Sequence, residues 1–318
     1  MEALLRAWEE IVPGQKLTVS LMDEGMAFPI TIIAGTRPGK TVLLTAGIHG
    51  CEYCSIQAAI ELSAQLAPED ISGRVAIVHI ANMSGFLERL PAIVAEDGKN
   101  LNRVFPGSAA GTHSEKLAHG ISELQSRSDF YIDMHGGDLH ERMHPFVFIP
   151  GMAEPQVTEA AREAAKALSV ETRVRSSATT GAYNSAAIRG VPSLLIERGG
   201  NGVWSQDEVD AYKQDIIAVL AHLGVLREGE TGGAQGRRGA GEHQREVTAP
   251  VYLEADGEGC WYPKVKPGER VPQGTVLGEI RDVFGKTTQV YHAQCEGTIL
   301  YMTVSLAVKA GTPLVAYG

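Results

Sequence analysis

The sequence predicts an α/β fold followed by a smaller all-β unit. Three observations carry that expectation. Short apolar runs alternate with helical patterns over the first two-thirds of the chain, a Gly-rich polar stretch follows from Arg227 to Glu246, and closely spaced β-type runs lie beyond it. The 318 residues are long for one ordinary domain and comfortable for two. Hydrophobic residues make up 44% and charged residues 21%, so a sizeable core is available and wholesale disorder is excluded. Glycine, at 36 residues, is the one unusual count, and where those glycines sit becomes informative below.

The α/β reading rests on five apolar runs: Thr41–Ile48, Val75–Ala81, Phe130–Met134, Phe146–Ile149 and Ser193–Glu197. Helical patterns occupy Glu52–Leu66, Glu159–Leu168 and Asp207–Leu223. In the last, Ser205 caps the start and Glu208 completes a capping box. Val209, Tyr212, Ile216, Leu220 and Leu223 form one stripe, and Gly224 stops the helix. Strand-then-helix alternation argues for a largely parallel sheet. Residues 227–246 hold no large apolar side chain and cannot offset the entropy of ordering, so they read as a linker. Beyond it, residues 247–318 contain APVYLEA, TVLGEI, TQVYHA, GTILYMTV and PLVAYG, broken by Gly and Pro every few residues, as in a small β sandwich or barrel. The expected organisation is therefore 1–226, linker 227–246, and 247–318.

Lys plus Arg is 28 against 38 for Asp plus Glu, and the formal charge of −10 argues against nucleic acid or an anionic membrane as partner. No apolar run approaches the roughly 18–20 residues of a membrane span. The opening MEALLRAWEE carries acids where a secretory signal has a basic region, so a cytoplasmic protein is expected. Four cysteines (Cys51, Cys54, Cys260, Cys295) make a poor disulfide framework at this size, and Cys51-x-x-Cys54 is read as packing in preference to a redox pair. GTRPGKT (Gly35–Thr41) has one residue too few for a phosphate loop and precedes a strand, and no G-x-S-x-G elbow is present.

Three strand ends carry chemistry. TVLLTAGI runs into His49-Gly50-Cys51-Glu52, FYIDM ends at His135, and SLLI ends at Glu197. The carboxyl ends of strands in an open α/β sheet face one crevice, where ligands bind. Two imidazoles and a carboxylate form a catalytic zinc set with an open position for water, and a further carboxylate can move the proton. His49, Glu52 and His135 are the expected ligands of one Zn2+ per chain, and Glu197 is the general base and acid. Asp133, on the same strand face as His135, reads either as a residue that orients it or as an ordinary strand-end Asp. Glycines beside these residues permit close backbone approach. In DGKNLNRVFPG (Asp97–Gly107), Asn102 and Arg103 offer an amide and a guanidinium fork suited to a substrate carboxylate.

With His49-x-x-Glu52, DGKNLNRVFPG, DMHGGD and LLIERGG in this order, the chain resembles the succinylglutamate desuccinylase/aspartoacylase family, relatives of the zinc carboxypeptidases. The resemblance covers nearly the whole chain. It implies a three-layer α/β/α domain around a mixed sheet, and a zinc-dependent amidohydrolase acting on a small N-acyl amino acid or related amine. It assigns the metal to His49, Glu52 and His135, the base to Glu197, and the substrate carboxylate to Asn102 and Arg103. One departure stands out. An arginine often found eleven residues before the one in the Asn-Arg pair, placed to polarise the scissile carbonyl, is Ala92 here, and the nearest arginine is Arg89. Either Arg89 substitutes or zinc acts alone.

His79 reads as a packed or hydrogen-bonded core residue, and His140, Glu141 and His144 as surface loop residues. The β unit resembles the lipoyl/biotinyl barrel-sandwich fold, although Lys286 in DVFGKT lacks the flanks of a modified lysine. The competing functions are a carboxypeptidase-like peptidase and a non-catalytic binding or carrier protein. A homo-oligomer is left open.

Overall fold

Apolar side chains that alternate along short strands, and recur every three or four residues along the helices, sort this chain into layers. The computed structural model describes residues 2–23, 26–226 and 244–318. Its elements run α1 (Glu2–Glu10), β1 (Lys16–Asp23), β2 (Met26–Ala34), β3 (Arg37–Ala46), α2 (Tyr53–Gln65), β4 (Ser72–Val78), α3 (Met83–Glu88), α4 (His113–Gln125), β5 (Phe130–His135), β6 (Glu141–Met143) and β7 (Phe146–Pro150). Then come α5 (Pro155–Ala165), β8 (Thr172–Ser176), α6 (Ala182–Ile188), β9 (Ser193–Glu197), α7 (Gln206–His222) and β10 (Arg245–Val247).

Among the described residues, nine strands form one sheet in the order β1-β2-β4-β3-β5-β9-β7-β8-β10. Its centre, β4-β3-β5-β9, is parallel, whereas β1-β2, β2-β4 and β9-β7 pair antiparallel. The sheet is therefore mixed, more so than alternation alone suggested. The N-terminal pair β1-β2 brings in antiparallel strands that no helical pattern separates. Helices cover both faces. Ile56, Leu62, Ala161, Val209, Ile216 and Leu220 of α2, α5 and α7 pack on one face. Leu4, Trp8, Leu117, Ile121, Ala182 and Ala186 of α1, α4 and α6 pack on the other. No described helix is long and apolar enough to cross a membrane.

The C-terminal strands are β11 (Val251–Glu254), β12 (Gly259–Pro263), β13 (Arg270–Val271), β14 (Val276–Arg281), β15 (Thr287–His292), β16 (Gly297–Thr303), β17 (Ala307–Val308) and β18 (Pro313–Tyr317). They form two open sheets, β11-β18-β16-β13 and β15-β14-β12-β17, sharing one cluster that includes Trp261, Leu277, Ile280, Ile299, Leu314 and Tyr317. Among the described residues neither sheet closes into a barrel.

Most of the expected linker, residues 227–243, lies outside the described residues. Its last residues behave otherwise than expected. Arg245 and Glu246 begin β10, which pairs parallel with β8 at the edge of the large sheet. Glu246 Oε2 accepts from Arg162 Nε at 2.9 Å and Arg173 Nε at 3.1 Å, and Arg173 is buried. Two guanidinium groups supply the favourable term that composition alone could not show. Glu246→Ala leaves the Arg173 guanidinium without its carboxylate and is expected to destabilise the protein by about 1–3 kcal/mol. Urea denaturation checks this, and an unchanged midpoint would show that the ion pairs do not anchor β10.

Candidate metal centre

Strand alternation decides which face receives the polar residues. Along β5, Phe130, Ile132 and Met134 join the α2/α5/α7 core, so Tyr131, Asp133 and His135 face the α1/α4/α6 side. Along β9, Leu194 and Ile196 take the first face, which turns Leu195 and Glu197 to the second. The register pairs His135 with Glu197 across adjacent strands. Their side chains therefore emerge side by side at one sheet edge. His49 and Glu52 arrive at the same edge from the turn between β3 and α2, where Glu52 is the N-cap. That turn packs so tightly on α3 that a Cβ on Gly50 would sit 2.2 Å from the Phe86 nitrogen, which demands glycine.

The three expected ligands come together. His49, Glu52 and His135 each offer a ligand atom, all within 4.8 Å of one another, and no other His/Cys/Asp/Glu group of this kind occurs among the described residues. His49 Nδ1 lies 2.7 Å from Glu52 Oε1, and His135 Nδ1 lies 3.0 Å from Glu52 Oε2. The opposite ring nitrogens are engaged elsewhere. His49 Nε2 is 3.2 Å from Asn100 Oδ1, and His135 Nε2 is 3.2 Å from Asp133 Oδ2. An amide oxygen only accepts, so Asn100 favours the proton on His49 Nε2, while His135 Nε2 is buried near Asp133 without a hydrogen bond. Both Nδ1 atoms face the same carboxylate. Three electron-rich groups facing one another, with Glu52 Oε2 buried and lacking a hydrogen bond, suit a cation between them.

Electrostatics agree. Burial alone would raise the Glu52 carboxyl, but the two imidazoles hold it down at about 2. Burial would lower the His135 imidazolium, yet Glu52 and Asp133 push it well above the usual histidine range. The site draws positive charge. Glu197 has the opposite character. Burial pushes its carboxyl well above the carboxylate range against the pull of His135, and its Oε2 is buried without a hydrogen bond. Behind His135, Thr45 Oγ1 donates to Asp133 Oδ1 at 3.0 Å, and the Tyr131 hydroxyl lies 2.5 Å from Thr45 Oγ1.

The Asp97–Gly107 loop reaches the site through a residue that sequence reasoning missed. Asn100 receives the His49 ring and also accepts from the Asn102 amide at 2.8 Å. Its signal in the sequence is an Asn two residues before Asn102 in the same polar motif. Asn102 is buried, with Oδ1 accepting from the Ala182 amide at the start of α6. Arg103 is exposed, and its guanidinium donates to the Asn102 carbonyl at 3.1 Å. Asn102 thus sits next to the cluster's support, while Arg103 lies at the surface with most of its fork uncommitted.

Ala92 turns its backbone amide towards the Asp138 carboxylate. Arg89, the left-handed C-cap of α3, lines a groove with Tyr53, Phe86 and Trp204. His140, Glu141 and His144 differ from a plain surface loop. Glu141 begins β6, and His140 and His144 flank it; β6 pairs with β16 of the C-terminal sheet. The His140 carbonyl accepts from the Val304 amide at 2.7 Å and the His144 amide donates to the Leu300 carbonyl at 2.8 Å. Burial pushes the Glu141 carboxyl up to about 7, although the Asp138 amide donates to it at 3.0 Å. His79 bonds Thr31 Oγ1 at 2.9 Å inside the fold, as expected. Cys51 and Cys54 are free and buried.

The catalytic-domain profile of the succinylglutamate desuccinylase/aspartoacylase family matches residues 38–223, more than half of the chain. The chain belongs to that family. It is similar to the N-alpha-acetyl-L-2,4-diaminobutyric acid deacetylase of Halomonas elongata, 29% identical over 298 residues, which span 89% of this chain and 83% of that protein. A succinylglutamate desuccinylase/aspartoacylase structure from Rhodobacter sphaeroides superposes with a TM-score of 0.83 at 27% identity, covering 97% of both chains. The product-bound ectoine utilization protein EutE (DoeB) of Ruegeria pomeroyi gives 0.81 at 26% identity, covering 95% of this chain and 93% of that one. The family is one of deacylase-type hydrolases, and the α/β fold with a mixed sheet is shared with these structures.

Asp97 ties down the loop that carries Asn100. Despite some burial, hydrogen bonds from Ser114 Oγ and N, Thr112 and Lys99 hold its carboxyl at about 2, below its unfolded value. The stabilisation is therefore full above the unfolded value of about 3.9 and is lost as pH falls through about 2. The difference in unfolding free energy between the wild type and Asp97→Asn should be constant from pH 5 to 7 (roughly one unit above that value) and shrink below about 4. A difference that stayed flat into the acid range would remove Asp97 from this role.

Proposed function

We propose that the chain is a zinc-dependent amidohydrolase that removes an acyl group from a small N-acylated amino acid or related amine. The observation that carries it is the pair of Nδ1 atoms turned to one buried carboxylate, with Glu197 beside His135 on the same sheet face. His49, Glu52 and His135 would hold one zinc per chain. Zinc in that donor set supplies Lewis acidity to the acyl carbonyl and lowers the pKa of the attacking water. Glu197 takes the water's proton on its carboxylate and returns it to the leaving nitrogen. Asp133 and Asn100 keep the imidazoles oriented. Arg103, with Asn102 fixing its loop, receives the substrate carboxylate.

Residues 1–226 carry this chemistry in the cytoplasm, and 247–318 form a lipoyl/biotinyl-like sandwich without a carrier function. The acyl group is small, in keeping with the acetyl group named in the Halomonas elongata relative.

Purified protein should hold stoichiometric zinc, lose activity to a chelator and regain it with added zinc. A panel of N-acetyl and N-succinyl amino acids, with N-acetyl-L-2,4-diaminobutyrate among them, reads the substrate. Faster release of C-terminal residues from short peptides would favour a peptidase instead. Glu197→Gln should keep the metal and lose on the order of 10²–10⁴-fold in turnover. Full activity in that variant would end the assignment.

A further inference from the structure

Glu197 must present its carboxylate at a set spacing from the His135 side, and it is the last residue of its strand, paired with His135 of β5 on one side and Phe146 of β7 on the other. Further contacts on this strand end come from the opposite face of the sheet. Tyr212 of α7 is fully buried, and its hydroxyl lies 3.0 Å from the His135 carbonyl and 2.8 Å from the Ile196 carbonyl. One O–H thus bridges the backbone of an expected metal ligand and the residue immediately before the expected base. Burying a phenol among aliphatic side chains costs free energy unless the hydroxyl finds partners, and here the partners are the two strand ends.

One turn further along α7, Asp215 takes hold of the residue after Glu197. Its Oδ2 accepts from Arg198 Nε at 2.8 Å and from Nη2 at 2.7 Å. Arg198 Nη2 also donates to Ser169 Oγ at 2.7 Å, and the Ser169 amide donates to Asp215 Oδ1 at 2.7 Å. Arg198 and Asp215 are both buried, so this charge-assisted pair is closed off from water. Residues 196 and 198 are therefore gripped by a single turn of α7, while residue 197 between them points to the other face.

We propose that Tyr212, backed by Asp215, is a positioning residue for the reaction: α7 clamps the residues flanking Glu197, and Tyr212 fixes the β9 end against the β5 end that carries His135. The inference rests on the reading of Glu197 as the proton-transferring group. Neither Tyr212 nor Asp215 reaches the reaction face, so their effect passes through the backbone of Ile196 and His135 and the side chain of Arg198.

Tyr212→Phe removes one oxygen and keeps the ring. In the full-length zinc-loaded protein it should retain stoichiometric metal and lower kcat about tenfold or more, with KM within roughly twofold, because misplacing a reacting group by a fraction of an ångström costs rate and not ground-state binding. Asp215→Asn should show the same kcat-against-KM split. A merely structural brace would lower the melting temperature of both variants and leave kcat per bound zinc unchanged, and that result overturns the proposal. Loss of rate that excess zinc restores overturns it too, since the role would then be metal retention. If Tyr212→Phe does not fold, Asp215→Asn decides by the same criterion. Glu197→Gln is assayed in parallel. If it is inactive while the α7 variants run at full rate, only the clamp fails. If it is fully active, the assignment of Glu197 falls and the clamp with it.

Discussion

Glu52, buried between two imidazoles, is the interaction on which the rest depends. A carboxylate removed from water is tolerated only with polar partners at hand, and His49 and His135 bring their imidazole nitrogens to it from two separate segments. That demand fixes three things at once. The β3–α2 turn must approach α3 without a side chain at Gly50, β5 must end at His135 and not one residue later, and the outer nitrogen of His49 must find an acceptor in Asn100, with Asp133 set 3.2 Å from that of His135. A one-residue slip in β5 would send His135 into the α2/α5/α7 core and expose Met134 to the site.

The parts of the fold that were legible in the sequence are those whose pattern is local. The runs that became β3, β4, β5, β7 and β9 are short and mainly apolar, with Val, Leu, Ile and Phe prominent, as expected of strands covered on both faces. The α7 stripe and its cap were equally plain. What stayed hidden has a physical reason in each case. Helix α1 is short, with Leu4 and Trp8 making its packing face and Ile11 just beyond its end, and it depends on the sheet for stability. Helix α4 contains Gly120, which weakens the helical signal although its backbone is buried against the core. Strand β10 sits in a polar stretch and owes its place to Arg162 and Arg173, far away in sequence.

The site divides the same way. His49, His135 and Glu197 were legible because each stands at the end of an apolar run, with Glu52 three residues beyond His49, and strand ends converge. Asn100, Tyr212 and the Arg198–Asp215 pair were not, because their roles are set by partners on other elements. Tyr212 in particular is one more member of an apolar stripe when read along α7. Its hydroxyl acquires meaning only when β5 and β9 lie alongside.

The pairing of β6 with β16 has a temporal consequence. The Thr303 hydroxyl donates to the His140 carbonyl at 3.0 Å across 163 positions of chain, and His140 stands five residues after His135. During synthesis from the N-terminus, the nine-stranded layer can collect most of its strands early, but the rim beside the histidine stays unbraced until nearly the whole polypeptide has left the ribosome. A nascent chain would thus carry His49, Glu52, His135 and Glu197 before β16, the strand that pairs with β6, has been made.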